Sequence, residues 1–109
     1  MSILVNSGGG GTSQTATSTG DLEVKQEWVK PRFIKSVSVI SQNKPYRIKL
    51  YTKTDRGWKL IDSKVQNEGL VAHWFFANGL YFERGIKAVG IQVESGDKLT
   101  LHFEGVIKP

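Results

Sequence analysis

His73 and His102 are the two side chains in this 109-residue sequence suited to act as bases near neutral pH. They fall on different predicted strands. His73 stands between Ala72 and Trp74 in the most apolar stretch, where a hydrogen-bonded structural histidine is the ordinary reading. His102 alternates with Thr100 and Glu104 and reads as solvent-facing. Glu23 with Glu27, and Glu94 with Asp97, are spaced to pair as carboxylates, yet solvated strand and turn positions account for them. Cysteine is absent, which excludes disulfides, thiolate metal sites and cysteine nucleophiles. Two histidines without a ligand-spaced third group do not make a zinc site. The glycines at 8–11 lack the strand before and helix after that a phosphate cradle needs, so they read as tether. The sequence therefore predicts no catalytic residue, no metal and no cofactor.

Charge says more. Between Lys30 and Lys59 nine basic residues face Asp55 alone, a local +8 in a chain of net charge +5. Arg47, Lys49, Tyr51 and Lys53 project from one face of a predicted strand, with Arg56 in the turn that follows. A basic face with an interleaved aromatic is how single-strand binders combine phosphate attraction with base stacking. A solvated face whose lysines discourage edge pairing has the same pattern. Trp28, Trp58 and Trp74 read as core residues. Trp58 is the most ambiguous, because it follows Asp55-Arg56-Gly57, a turn after which an aromatic can stand exposed.

These residues need elements to hold them, and the prevailing period is two. Leu22, Val24 and Trp28 share a face opposite Glu23, Lys25 and Glu27. Val37 and Val39 alternate with Ser36, Ser38 and Ile40. Tyr46, Ile48, Leu50 and Thr52 alternate with Arg47, Lys49, Tyr51 and Lys53, which sets the first group inward, since a one-residue slip would bury three cations. Thr54–Gly57 predicts a hairpin into a strand with Trp58, Leu60 and Asp62 on one face. Leu70 to Phe76 is almost wholly apolar, as in a strand covered on both sides. Asn78-Gly79 and Ser95–Lys98 read as further hairpin turns. Between them Val89, Ile91 and Val93 fall together, and Leu99, Leu101 and Phe103 close the series. No window has helical spacing with a cap. The fold class expected is all-β, an antiparallel sandwich of seven or eight strands, jelly-roll-like, with an extended N-terminal arm.

Composition changes at residue 21. Residues 6–20 are almost entirely Gly, Ser and Thr, too poor in apolar surface to offset their ordering entropy. The organisation expected is a flexible arm over 1–20 with an apolar tip, Ile3-Leu4-Val5, and a β-sandwich domain over 21–109. The tip has the composition of a strand that adds to a partner's sheet edge. No apolar run reaches the ~20 residues of a spanning helix and no signal peptide is evident, so a non-membrane protein of a reducing compartment is expected.

Residues 46–65, YRIKLYTKTDRGWKLIDSKV, resemble the strand–turn–strand of discoidin-like or galactose-binding-like sandwiches, and GIKAVGIQVESGDKLTLHFEGVI is similar to their closing strands. That resemblance implies a jelly-roll-like sandwich with Tyr51 and Trp58 as ligand aromatics. As a pattern of organisation, a small β-domain with a long arm, an apolar tip and no catalytic set resembles small virion proteins of tailed bacteriophages, such as capsid decoration (cement) proteins. This implies a non-enzymatic virion component, assembled in the host cytoplasm. Its partner would be the major capsid or tail protein, met through the arm and the basic face in a homo-oligomeric or multi-copy assembly. Two alternatives stand beside it: a carbohydrate-binding adhesion module of a tail or fibre, and a single-stranded nucleic-acid binder.

Overall fold

Alternating apolar residues draw the chain into eight strands in the computed structural model, which describes residues 9–41, 46–66 and 71–107. They are β1 (Gly10–Thr15), β2 (Gly20–Glu27), β3 (Arg32–Ile40), β4 (Arg47–Thr54), β5 (Gly57–Val65), β6 (Val71–Phe82), β7 (Gly85–Val93) and β8 (Lys98–Ile107). The strands pair antiparallel in two sheets of four, ordered β1-β8-β3-β6 and β2-β7-β4-β5. Every connection except β4–β5 carries the chain from one sheet to the other, which is the eight-stranded jelly-roll order. The all-β expectation holds, and no helix occurs among the described residues.

The inner faces supply one core. Ile48 and Leu50 from β4, Ile86 and Ala88 from β7 and Val24 from β2 meet Val37 and Val39 from β3 and Leu99, Leu101 and Phe103 from β8. Tyr46 and Thr52 are buried with them, as the period-two reading of β4 requires. Two buried polar clusters tie the sheets together. Gln66 accepts from Ser41 Oγ (2.8 Å) and the Tyr46 amide (3.1 Å) and donates to the Val39 carbonyl (3.3 Å). Tyr46 donates its hydroxyl to Asp97, which also accepts from the Glu94 amide (3.2 Å).

Several expectations need correction. The domain does not begin at residue 21: Gly10–Thr15, expected within a flexible arm, is an edge strand running from Gly10↔Phe103 to Thr15↔Lys98. Its Gly, Ser and Thr side chains bury little, so the ladder of backbone hydrogen bonds holds it. Ala16 then locks its end: the Ala16 amide donates to the Asp97 carbonyl and the Gly96 amide to the Ala16 carbonyl, each 2.8 Å. The Ser95–Lys98 turn is a corner between sheets, because β7 and β8 lie in different ones.

Asn78-Gly79 makes no hairpin either. β6 continues through it as a bulge, with Phe75 opposite Ser36 and Leu80 opposite Ile34. Gly79 supplies the positive φ of 80° that this detour needs. β6 is also an edge strand covered on one side only, with Ala72 and Trp74 buried and Phe75 70% exposed. A bulge at Ile61 separates Asp62 from Trp58 and Leu60. Asp62 turns to β6 instead, where the Trp74 indole donates to it at 2.8 Å and holds its carboxyl below the usual range. Gln92, with φ of 57°, breaks the alternation of β7, so Val93 is inward while Val89 lies on the opposite side of the sheet, buried between Lys49 and Glu23.

Candidate binding face

Once β4 is the neighbour of both β7 and β5, the outward residues of the second sheet fall into rows. One row reads Glu27, Gly85, Lys53, Trp58; the next reads Lys25, Lys87, Tyr51, Leu60; the third reads Glu23, Val89, Lys49, Ser63. Arg47 begins a fourth, opposite Val65. The expected basic residues Arg47, Lys49 and Lys53 and the aromatics Tyr51 and Trp58 thus share one face. Arg56 does not join them; it sits exposed in the β4–β5 turn, where its amide donates to Thr54 Oγ1 at 3.1 Å. Ile3, Leu4 and Val5 lie outside the described residues.

The face converges on Trp58. Lys87 Nζ lies 4.7 Å from the Trp58 ring centroid and 4.8 Å from that of Tyr51. Lys53 Nζ stands 5.7 Å from the same indole and Lys25 Nζ 6.0 Å. Such ammonium–ring contacts are attractive by up to about 2 kcal/mol where water is excluded. The Lys87 side chain is 12% exposed, its stem packed along the sheet and its charge cradled by the two rings. Acids occupy only the β2 edge of these rows. Glu27 accepts from Lys53, and that hydrogen bond pulls its carboxyl below the usual range. Glu23 stands 3.8 Å from Lys87. Arg47 donates to Ser63 Oγ at 3.0 Å.

Beside the first row, at one end of the sandwich, a cleft of about 330 Å³ is lined by Glu27, Trp28, Lys53, Thr54, Asp55 and Arg84. Trp28 is a wall of this cleft rather than a free platform. Its indole N–H donates to the Phe82 carbonyl (3.1 Å), its ring tilts on Phe103 at 5.6 Å, and the Arg32 guanidinium covers it at 4.3 Å. Burial among these rings pulls Arg32 below its ordinary pKa.

Lys25 and Lys87 were not among the residues the sequence singled out. Their outward placement is readable, since each alternates with buried Val24, Ile86 and Ala88. Their convergence on Trp58 is not, because it depends on the strand order β2-β7-β4-β5. The histidines stay apart from this face. His73 and His102 both flank Ser38 on the outside of the first sheet, and His73 Nδ1 lies 2.9 Å from Ser38 Oγ. His73 has the hydrogen bond expected of it but is exposed rather than buried. Among the described residues, no three His, Asp or Glu side chains gather as a metal site.

No protein-family model and no curated protein matches the sequence. Solved structures do. The family 32 carbohydrate-binding module from C. perfringens NanJ, solved in complex with galactose, superposes with a TM-score of 0.59 at 13% identity, over 90% of this chain and 93% of that one. The Drosophila NLP core, whose structure bears on pentamer formation and histone binding, matches at 0.45 and 15% identity, over 90% and 97% of the two chains. The first likeness is one of fold: a β-sandwich that, in that protein, is a binding module.

Proposed function

We propose that the chain is a non-catalytic carbohydrate-binding module whose ligand rests on the outward face of the second sheet, at Trp58 and Tyr51. The observation that carries this reading is the aromatic pair on an open sheet face, ringed by side chains with hydrogen-bond donors. A sugar offers an apolar C–H face and a rim of hydroxyls, which suits aromatic surface beside a few placed polar groups. The fold likeness to a galactose-binding module supports the reading at the level of architecture. Glycan-array binding by the intact chain tests it. Trp58→Ala is expected to abolish the signal without unfolding the protein, because Trp58 stands on the outer face; an unchanged signal overturns the assignment.

A second reading, single-stranded nucleic acid, is favoured by one observation. Lys25, Lys87, Lys53, Lys49 and Arg47 share this face with two stackable rings. Its signature is oligonucleotide affinity that falls steeply with salt.

A further inference from the structure

The ligand's charge can be inferred from how the rings of this face are covered. Lys87 lies over both Tyr51 and Trp58, with Lys53 and Lys25 within 6.0 Å of the same indole. Trp58 and Tyr51 therefore offer a ligand their rings together with the ammonium groups beside them. Three like charges about one indole repel each other, and the protein offsets them with two carboxylates, Glu27 on Lys53 and Glu23 at 3.8 Å from Lys87. Both stand on β2, at one margin of the rows. Toward β4 and β5, Lys49, between Val89 and Ser63, and Arg47, opposite Val65, extend the positive surface. Lys87 is preorganised, because its side chain is already packed and loses little freedom when an anion arrives.

We propose that the carbohydrate bound here is acidic, a sugar whose carboxylate sits among Lys25, Lys53 and Lys87 against Trp58 and Tyr51. The inference rests on the carbohydrate reading above and adds the class of sugar. Glu27 shows the contact in miniature: a carboxylate accepting from Lys53, with Lys25 close enough to help lower its pKa. A uronic acid can make the same contact and bring hydroxyls to the cleft beside Lys53, where Asp55, Thr54 and Arg84 can exchange hydrogen bonds with them. A nucleic acid suits the face less well. A track of phosphates running along β4 past Lys53, Lys49 and Arg47 would leave Lys25 and Lys87 to one side, whereas one sugar carboxylate fits the compact cluster.

The test titrates the intact chain with an oligogalacturonate, a neutral galactan oligomer of equal length, and oligothymidylate. The acidic sugar is expected to bind about tenfold tighter than the neutral one, the scale of one charge-assisted contact. Its advantage should shrink as salt screens the face. Lys87→Gln should lower acidic-sugar affinity about tenfold and neutral-sugar affinity by less, so that the preference between the two is lost. Glu23→Gln should strengthen acidic-sugar binding by removing the carboxylate that competes for Lys87, a gain that misfolding cannot imitate. If the neutral oligomer binds as tightly as the acidic one, the inference fails and the carbohydrate reading stands. If neither sugar binds, both fail. Oligothymidylate binding tighter than the oligogalacturonate moves the ligand to nucleic acid and overturns the proposal.

Discussion

The two sheets bury the same kinds of residue toward each other and present unlike surfaces outward. On the first sheet, Tyr81, Phe33 and Val106 stand side by side across β6, β3 and β8, with the Phe33 and Tyr81 rings 5.5 Å apart. Phe75, Ser36 and Glu104 form the next row, then His73, Ser38 and His102. In these three rows Glu104 is the sole carboxylate, and Lys and Arg are absent. On the second sheet the corresponding rows hold Lys25, Lys87, Lys53 and Lys49 around two aromatic rings. The inner faces are constrained by one shared core, so they cannot diverge. The outer faces answer to nothing inside the molecule, and charge segregates there at little cost to stability.

Substitutions separate the shared layer from the free ones. The largest effect is expected at Phe103, fully buried on β8 with its ring tilted against Trp28. Phe103→Ala should cost about 3–5 kcal/mol in denaturant unfolding, because it leaves a cavity under both sheets. It should also loosen the cleft through Trp28, and a loss under 1 kcal/mol would break the picture of a common core. Next is Gln66, which joins Val39 of the first sheet to Tyr46 beside the second. Gln66→Ala removes the acceptor of the buried Tyr46 amide and Ser41 hydroxyl, and a loss of about 1–3 kcal/mol is expected by the same measurement.

A pH effect follows from Tyr46. Burial first, and then the hydrogen bond to Asp97, raise its pKa above the ordinary value. A raised pKa means that the folded state favours the protonated phenol. Its contribution is complete below about pH 10, the unfolded value, and is lost as pH climbs through the folded one. Melting temperature followed against pH should fall on the alkaline side, and Tyr46→Phe should flatten that fall. The smallest effects belong to the outer faces. Lys53→Gln and Phe75→Ser should each shift stability by about 0.5 kcal/mol or less in denaturant melts. A large loss at either site would show that its face supports the fold.

How far the sequence reaches depends on whether a feature needs its neighbours. The register of β4 is legible because Ile48 and Leu50 alternate with Arg47 and Lys49, and burying cations costs too much for any other choice. Leu99, Leu101 and Phe103 are legible for the same reason. β1 is not, because Gly10–Thr15 has no apolar pattern and its order comes from the edge of β8. The bulges at Ile61 and before Leu80 are equally silent, since an extra residue is defined only against the strand opposite. Of the candidate site, Tyr51, Trp58, Lys49 and Lys53 could be named from one hairpin. Lys25 and Lys87 required the knowledge that β7 lies between β2 and β4.

The pairing of β1 with β8 also sets an order of events in time. Gly10 meets Phe103 and Thr15 meets Lys98, so this ladder closes a loop of nearly the whole chain. Such distant closure is costly in entropy and slow to form, and little buried surface rewards it here. With little buried surface to reward it, β1 is expected to join β8 late in folding, after β8 has paired with β3. By the same token its release is expected to cost less than global unfolding, with its amide hydrogens exchanging ahead of those in β3 and β7 when exchange is followed by NMR or mass spectrometry. Each such opening bares the backbone of β8 for a moment, a strand edge able to pair with another chain. A segment with almost no side chains to pack thus takes the place of β8 as the edge of the first sheet.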